Sequence, residues 1–425
     1  MKRTFDSYCL YSISQFSTYV IRNRFTMKDE VDENALRRAV NIATRRYPYF
    51  MVKLSYAEDG SYIFEPNDSD IVVIRSGKKN PDLCTEQVNN HLLYVDYEGR
   101  DIYFNFSHAL AGGKGVTPWL MTCIYQYVVE KYNVLPNAPA IRKPDSAMLP
   151  DENAVAKYEQ FEDAVLYQNS KLKQNRASLV KDYINGLFNP FKKSHEYYIF
   201  EFKQEDIINL VKGSDNSVNS FFDILMFQTM CKVLPDKGDI IIAETAHNPV
   251  ADLGIPNTRN NYLSHVLIPY SRQMADWDIE KLGTLTRGAI ILQSDSMYSL
   301  YECKRQYRFD EEIDKVNGKA AKQKYAKKNS LSLGKDATHG TFIVNYTGYM
   351  DWGELADYIE SYVHIVDGHQ LLEISALGDR IFCCYHQVIR TDKYINAFQD
   401  ILRQHNIEYK IKGPFKKNLC KHKLD

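Results

Sequence analysis

The 425-residue chain has no Cys-x-x-Cys pair, no excess of charge of either sign, and no run of the roughly 18 uncharged apolar residues that a membrane span requires. Each absence removes a class of protein. Without a paired framework, Cys9, Cys84, Cys123, Cys231, Cys303, Cys383, Cys384 and Cys420 read as reduced thiols, which points to a cytoplasmic address. The opening residues 1–6 run into polar sequence with no secretory h-region. Lys and Arg total 53 against 54 Asp and Glu, so the surface as a whole has no field to draw in nucleic acid or anionic lipid, and charge recognition must be local. There is no Gly-x-Ser-x-Gly elbow and no His-Glu-x-x-His. The 11 histidines are not clustered with carboxylates at ligand spacing, so no metal is expected. Gly112-Gly113-Lys114-Gly115 lacks the Ser or Thr that must follow the lysine of a phosphate loop.

What is present is an average globular composition, 44% hydrophobic and 25% charged, on a chain long enough for two lobes. Asp32-Glu33-Asn34 opens a helix that ends near Arg46, before Pro48. A hairpin is predicted over 51–64 around Asp59-Gly60, and a short strand at 71–74. A helix is predicted over 81–95 and a strand over 101–107, with Ile102, Phe104 and Phe106 on one face. Thr117-Pro118 has the chemistry of a helix start, leading to Tyr132. Prolines punctuate a loop at 136–150. Residues 152–187 read as a polar helix ending at Asn189-Pro190, where the boundary between lobes 1–190 and 191–425 is placed. The second half repeats the pattern. Strands are expected at 197–202, 239–243, 341–345, 371–375 and 380–385. Helices are expected from Glu205 and over 218–233, 278–296 and 394–405, with a basic helix end or loop at 319–328. Both halves are mixed, so the fold class is α/β.

The sharpest local feature is Asn105-Phe106-Ser107-His108-Ala109-Leu110-Ala111-Gly112-Gly113, an alternating strand that delivers a histidine into a glycine turn before a helix. An imidazole with an ordinary pKa of roughly 6.5 accepts a proton near neutrality, which suits a general base. The motif alone does not separate that role from a histidine merely solvated or bonded to backbone. Cys123, on the apolar helix that follows, reads as core. His364, His369 and His386 lie in the second half, where solvated or core roles compete with a cluster.

At these residues the sequence resembles the condensation-domain branch of the chloramphenicol-acetyltransferase-like acyltransferases, whose signature is His-His-x-x-x-Asp-Gly with the second histidine catalytic. Residues 107–113 fit that frame at His108 and Gly113. They depart from it at Ser107, where the first histidine stands, and at Gly112, where a structural aspartate usually pairs with an arginine of the other lobe. Weaker resemblances follow in the family's order. They are the first helix with Arg45-Arg46-Tyr47-Pro48-Tyr49-Phe50, the helix opening Ser217-Val218-Asn219-Ser220, the turn region Asn257-Thr258-Arg259-Asn260-Asn261-Tyr262, and Asn345-Tyr346-Thr347-Gly348.

The resemblance implies two lobes, each a mixed sheet flanked by helices, with a tunnel between them. It implies transfer of an acyl group from a thioester to a hydroxyl or amine, with His108 as base. Gly113 N–H, Asn345 and Thr347 become the candidate oxyanion or positioning groups, and Ser107 and Gly112 support the motif. Acyl-CoA or an acyl-pantetheine carrier would be the co-substrate, with no permanent cofactor. Lys319, Lys322, Lys324, Lys327 and Lys328 either meet its phosphates or form a solvated basic loop. The alternative reading is a catalytically silent relative that binds a carrier protein, lipid or partner, encouraged by Ser107 and Gly112.

Overall fold

A computed structural model describes residues 9–13, 18–77, 79–189, 195–234, 238–329, 339–368 and 370–424. In chain order the strands are β1 (Val20–Met27), β2 (Val52–Tyr56), β3 (Tyr62–Pro66), β4 (Val73–Arg75), β5 (Leu93–Glu98), β6 (Asp101–Ser107) and β7 (Glu196–Lys203). They continue as β8 (Ile240–His247), β9 (Ser264–Ser271), β10 (Phe342–Tyr346), β11 (Ile359–Ile365), β12 (Leu371–Leu377), β13 (Arg380–Gln387) and β14 (Lys410–Lys416). Two of the sheets are large. One has five strands in the order β11-β1-β6-β5-β4, the other seven in the order β14-β7-β13-β12-β10-β8-β9, and β2 and β3 form a separate hairpin.

The first sheet is covered by two helices. In Glu33–Arg45, Asp32 accepts from the Ala35 amide at 2.9 Å and caps the start, and Ala35, Leu36, Ala39, Val40 and Ala43 recur on the buried face. Its partner Gly113–Tyr132 is apolar nearly all round, as a helix packed on both sides must be. The other face of the same sheet is polar and buried. Arg22 on β1 donates two hydrogen bonds of 2.7 Å to Asp96 on β5 and one of 2.6 Å to Asn105 on β6.

The edge strand β11 comes from the second half of the chain and pairs antiparallel with β1, from Arg22 opposite Ile365 to Met27 opposite Ile359. A cut at 190/191 therefore separates this strand from the sheet it completes. It also ties the sheets together. Ser375 on β12 donates to the Tyr362 carbonyl on β11, Trp352 Nε1 to the Ala376 carbonyl at 3.1 Å, and Arg24 on β1 to the Tyr197 hydroxyl on β7 at 3.3 Å.

Three expectations from the sequence are corrected. Residues 81–95 form no α-helix: Asn89 and Asn90 have positive φ, which stops the single 3₁₀ turn Glu86–Val88, and the apolar run at 92–95 enters β5 beside β6. Residues 152–187 are mostly irregular. Arg259 N–H donates to the Glu152 carbonyl at 2.8 Å and Ala156 N–H to the Tyr262 hydroxyl at 2.7 Å, so this stretch is strapped along the second half and only Val180–Leu187 is α-helical. The helix after the motif starts at Gly113 rather than Thr117. Thr117 donates back to the Gly113 carbonyl at 2.8 Å, and Pro118 lies inside the helix. The 319–328 segment, left open between helix end and loop, belongs to a helix, Lys319–Asn329.

Candidate active site at the junction of the sheets

β6 ends at Ser107, and the next residue, His108, is half-buried with its amide donating to the Tyr19 carbonyl at 2.8 Å. The turn is held from behind. The Ala109 and Leu110 amides donate to Ser107 Oγ and to the Ser107 carbonyl at 3.2 and 2.9 Å, and Ser107 Oγ lies 2.7 Å from His422 Nε2. His422 is buried, which pushes its pKa down to about 4, so the ring under the motif is neutral at physiological pH.

Gly112 and Gly115 let the start of the helix approach the segment 258–261 of the second half. A Cβ on Gly112 would stand 2.5 Å from Asn261 Oδ1, and one on Gly115 would stand 2.2 Å from the Arg259 carbonyl oxygen. The side chain of Arg259 reaches back the other way. It is buried, donates to the Leu110 carbonyl and, at 2.8 Å, to Asn153 Oδ1, and lies over the Tyr49 ring at 5.1 Å. Burial lowers its pKa to about 10. Arg259 thus grips the turn through a carbonyl, and Asn261 Oδ1 stands where a side chain at position 112 would begin.

The second sheet contributes a pair in register. Asn345 on β10 lies opposite Glu373 on β12 and donates to it at 2.8 Å, while the Ala246 amide donates to Asn345 Oδ1 at 3.1 Å. Desolvation pushes the Glu373 carboxyl up to about 7, opposed by the Asn345 hydrogen bond and by the His108 imidazole. His108 from one sheet and Glu373 from the other are therefore within electrostatic reach. Thr347 is exposed and donates to the Ile374 carbonyl at 3.1 Å. Gly113, at the first helical position, faces open space, since a Cβ there would meet nothing within 4 Å. The amides of a first helical turn lack intrahelical acceptors, so this end of the helix is a donor surface at the end of the turn that carries His108.

One turn thus gathers Ser107, His108, Gly112 and Gly113, and the second sheet supplies Asn345 with Thr347 just beyond the end of β10. Glu373, Arg259 and His422 were not singled out from sequence. A glutamate inside the apolar run at 371–377 was the available signal for the first, and an arginine in the asparagine-rich turn 257–262 for the second; His422 had none. His386 Nε2 lies 3.0 Å from the His364 carbonyl, and burial lowers the pKa of both rings, that of His364 to about 4, so these are neutral core groups. His369 lies outside the described residues. Among the described residues no group of three His, Cys, Asp or Glu is placed to hold a metal ion. Burial pushes the Cys123 thiol well up, away from reactivity. Of the lysines at 319–328, Lys319 donates to the Leu424 carbonyl at 2.8 Å, and the buried Lys322 to the Ile313 carbonyl at 2.9 Å.

No protein-family model matches the sequence, and no curated protein matches it. Solved structures do. Polyketide synthase associated protein 5 from Mycobacterium tuberculosis superposes with a TM-score of 0.62 at 11% identity, over 94% of this chain and 97% of that one. TRI101 of F. sporotrichioides, complexed with coenzyme A and T-2, gives 0.57 at 9% identity, over 97% and 100%. The starter condensation domain of rhizomide synthetase RzmA, a mutant form in complex with C8-CoA, gives 0.55 at 8%, over 93% and 90%. At such identities the likeness establishes the fold. The chain has the two-lobed, chloramphenicol-acetyltransferase-like architecture that coenzyme A-dependent acyltransferases share with condensation domains.

Proposed function

We propose that the chain is an acyltransferase that moves an acyl group from a thioester to a hydroxyl or amine, with His108 as general base. The observation that carries this reading is the electrostatic coupling of His108, on the turn after β6, to Glu373 from β12 of the other sheet, with the open start of the helix Gly113–Tyr132 at the end of the same turn. In this scheme the imidazole takes the proton of the acceptor as its oxygen or nitrogen attacks the thioester carbonyl. The tetrahedral oxyanion collapses, the carbon–sulfur bond breaks, and the thiolate leaves with the proton returned from His108. An ionised Glu373 favours the imidazolium formed between these steps.

Gly113 N–H is the oxyanion donor we favour, because it stands at a helix N-terminus and faces open space. Asn345 keeps one amide hydrogen beyond the one given to Glu373, and Thr347 acts through its contact with Ile374. Coenzyme A or C8-CoA bound in similar folds supports a CoA thioester; a carrier-protein pantetheine is the other donor of the same chemistry. The two lobes are residues 1–190, completed by β11, and the remainder of 191–425, with the substrate tunnel between them.

The test is a thiol-release screen of acyl-CoA donors against alcohols and amines. Wild type should release thiol with a matched pair, and His108→Ala should lose about 10²–10⁴-fold in rate while keeping its circular dichroism spectrum. Full release by the folded His108→Ala variant removes the base. No release by folded wild type from any pair favours the silent, binding reading that Ser107 and Gly112 encourage.

A further inference from the structure

The helix Val180–Leu187 is amphipathic in the reverse sense of an ordinary surface helix. At 100° per residue, Val180, Tyr183, Ile184, Leu187 and the following Phe188 fall on one face, and that face points to solvent: Val180 is 64% exposed, Leu187 54% and Phe188 81%. The polar side is the one turned inward. Asp182 accepts from Lys393 Nζ at 2.7 Å and from the Tyr394 hydroxyl at 2.6 Å, while a Cβ on the buried Gly186 would meet Arg390 N and Ile389 Cγ2 at 3.0 Å. The helix is therefore clamped to the second lobe by its hydrophilic face. Five apolar side chains are held outward by packing.

Along the chain, the residues that flank this stripe carry charge of mainly one sign. Between residues 170 and 189 the only acidic residue is Asp182, which Lys393 neutralises, whereas Lys171, Lys173, Arg176 and Lys181 are all exposed. An apolar face with an aromatic residue at each side, Tyr183 and Phe188, and basic neighbours in chain matches the chemistry of a bilayer interface carrying negative headgroups. We propose that Val180–Leu187 is a membrane-surface anchor that seats its apolar face among anionic lipids. The protein lies on the bilayer and does not span it; among the described residues no helix is long and apolar enough to cross. The inference is independent of His108 and its chemistry.

Co-sedimentation of the purified full chain with vesicles tests it. Vesicles of phosphatidylcholine mixed with phosphatidylglycerol should retain the protein, and vesicles of phosphatidylcholine alone should not. Ile184→Asp with Leu187→Asp, on the outward face, should cut partitioning about tenfold or more with an unchanged melting temperature. Lys171→Glu with Lys173→Glu should weaken it comparably. Absence of binding to mixed vesicles overturns the proposal, as does binding that either double variant leaves intact. Wild type eluting at twice its mass, with the aspartate variant at single mass, would assign the face to a second copy and overturn it as well.

Discussion

Arg22 and Arg259 are equally hidden from solvent, yet the two are met in opposite ways. In the first sheet Arg22 faces the carboxylate of Asp96 through two hydrogen bonds and the amide of Asn105 through a third, and its pKa rises despite burial. At the junction Arg259 is bonded to a carbonyl and to an asparagine oxygen, and burial prevails, taking it down to about 10. Glu373 repeats the junction's pattern with the opposite sign, held by an amide and raised to about 7. Ion pairing thus stiffens the scaffold, while Arg259 and Glu373 are bonded to neutral dipoles and burial moves both pKa values toward neutrality.

Substitutions can break this contrast. Arg22→Leu strands a buried Asp96 and should cost about 3–5 kcal/mol in urea unfolding, whereas Arg259→Leu bares the Leu110 carbonyl and Asn153 Oδ1 and should cost about 1–3 kcal/mol. Equal losses would erase the distinction. Placing a carboxylate on the turn by Gly112→Asp drives the new Cβ to 2.5 Å from Asn261 Oδ1 and should destabilise by about 1–3 kcal/mol. Adding Asn261→Gly should recover that loss and raise the pKa of Arg259. Persistent destabilisation in the double variant would show that Asn261 is not what occupies the carboxylate's place.

Smaller effects sharpen the comparison at the site itself. Glu373→Gln removes the charge that favours the imidazolium, so the rising limb of the rate against pH should move to lower pH and kcat should fall roughly tenfold, about one pKa unit of interaction. An unmoved limb would uncouple the two groups. His422 and His364 are both lowered by burial, from 6.5 to about 4, so the unfolded chain takes up protons first. Their contribution is whole above pH 6.5 and is lost as pH falls toward 4. His422→Gln should flatten the fall in melting temperature over that interval by a few degrees.

Strands and helices with strong local periodicity were legible before any coordinates: the helix over 33–45, β6, the helix over 218–233, and the second half's β7, β12 and β13. What failed was decided by distant partners. The segment 152–187 has helical composition, yet its backbone is claimed by residues near 259 and 262. Of the site, the frame around His108 could be read from its order of residues, because one strand and one turn create it. Glu373, Arg259 and His422 arrive from separate segments far along the chain from His108, and no local pattern joins them.

The position of β11 has a consequence for synthesis. The strand that flanks β1 is translated only after most of the seven-stranded sheet's early members, so the first sheet emerges from the ribosome with one of its edges bare. Vectorial folding can prepare that half but cannot seal it. The bare side of β1 is open to wrong strands until 359–365 appears, which makes this edge the place where a chaperone would be needed and where a stalled nascent chain would aggregate.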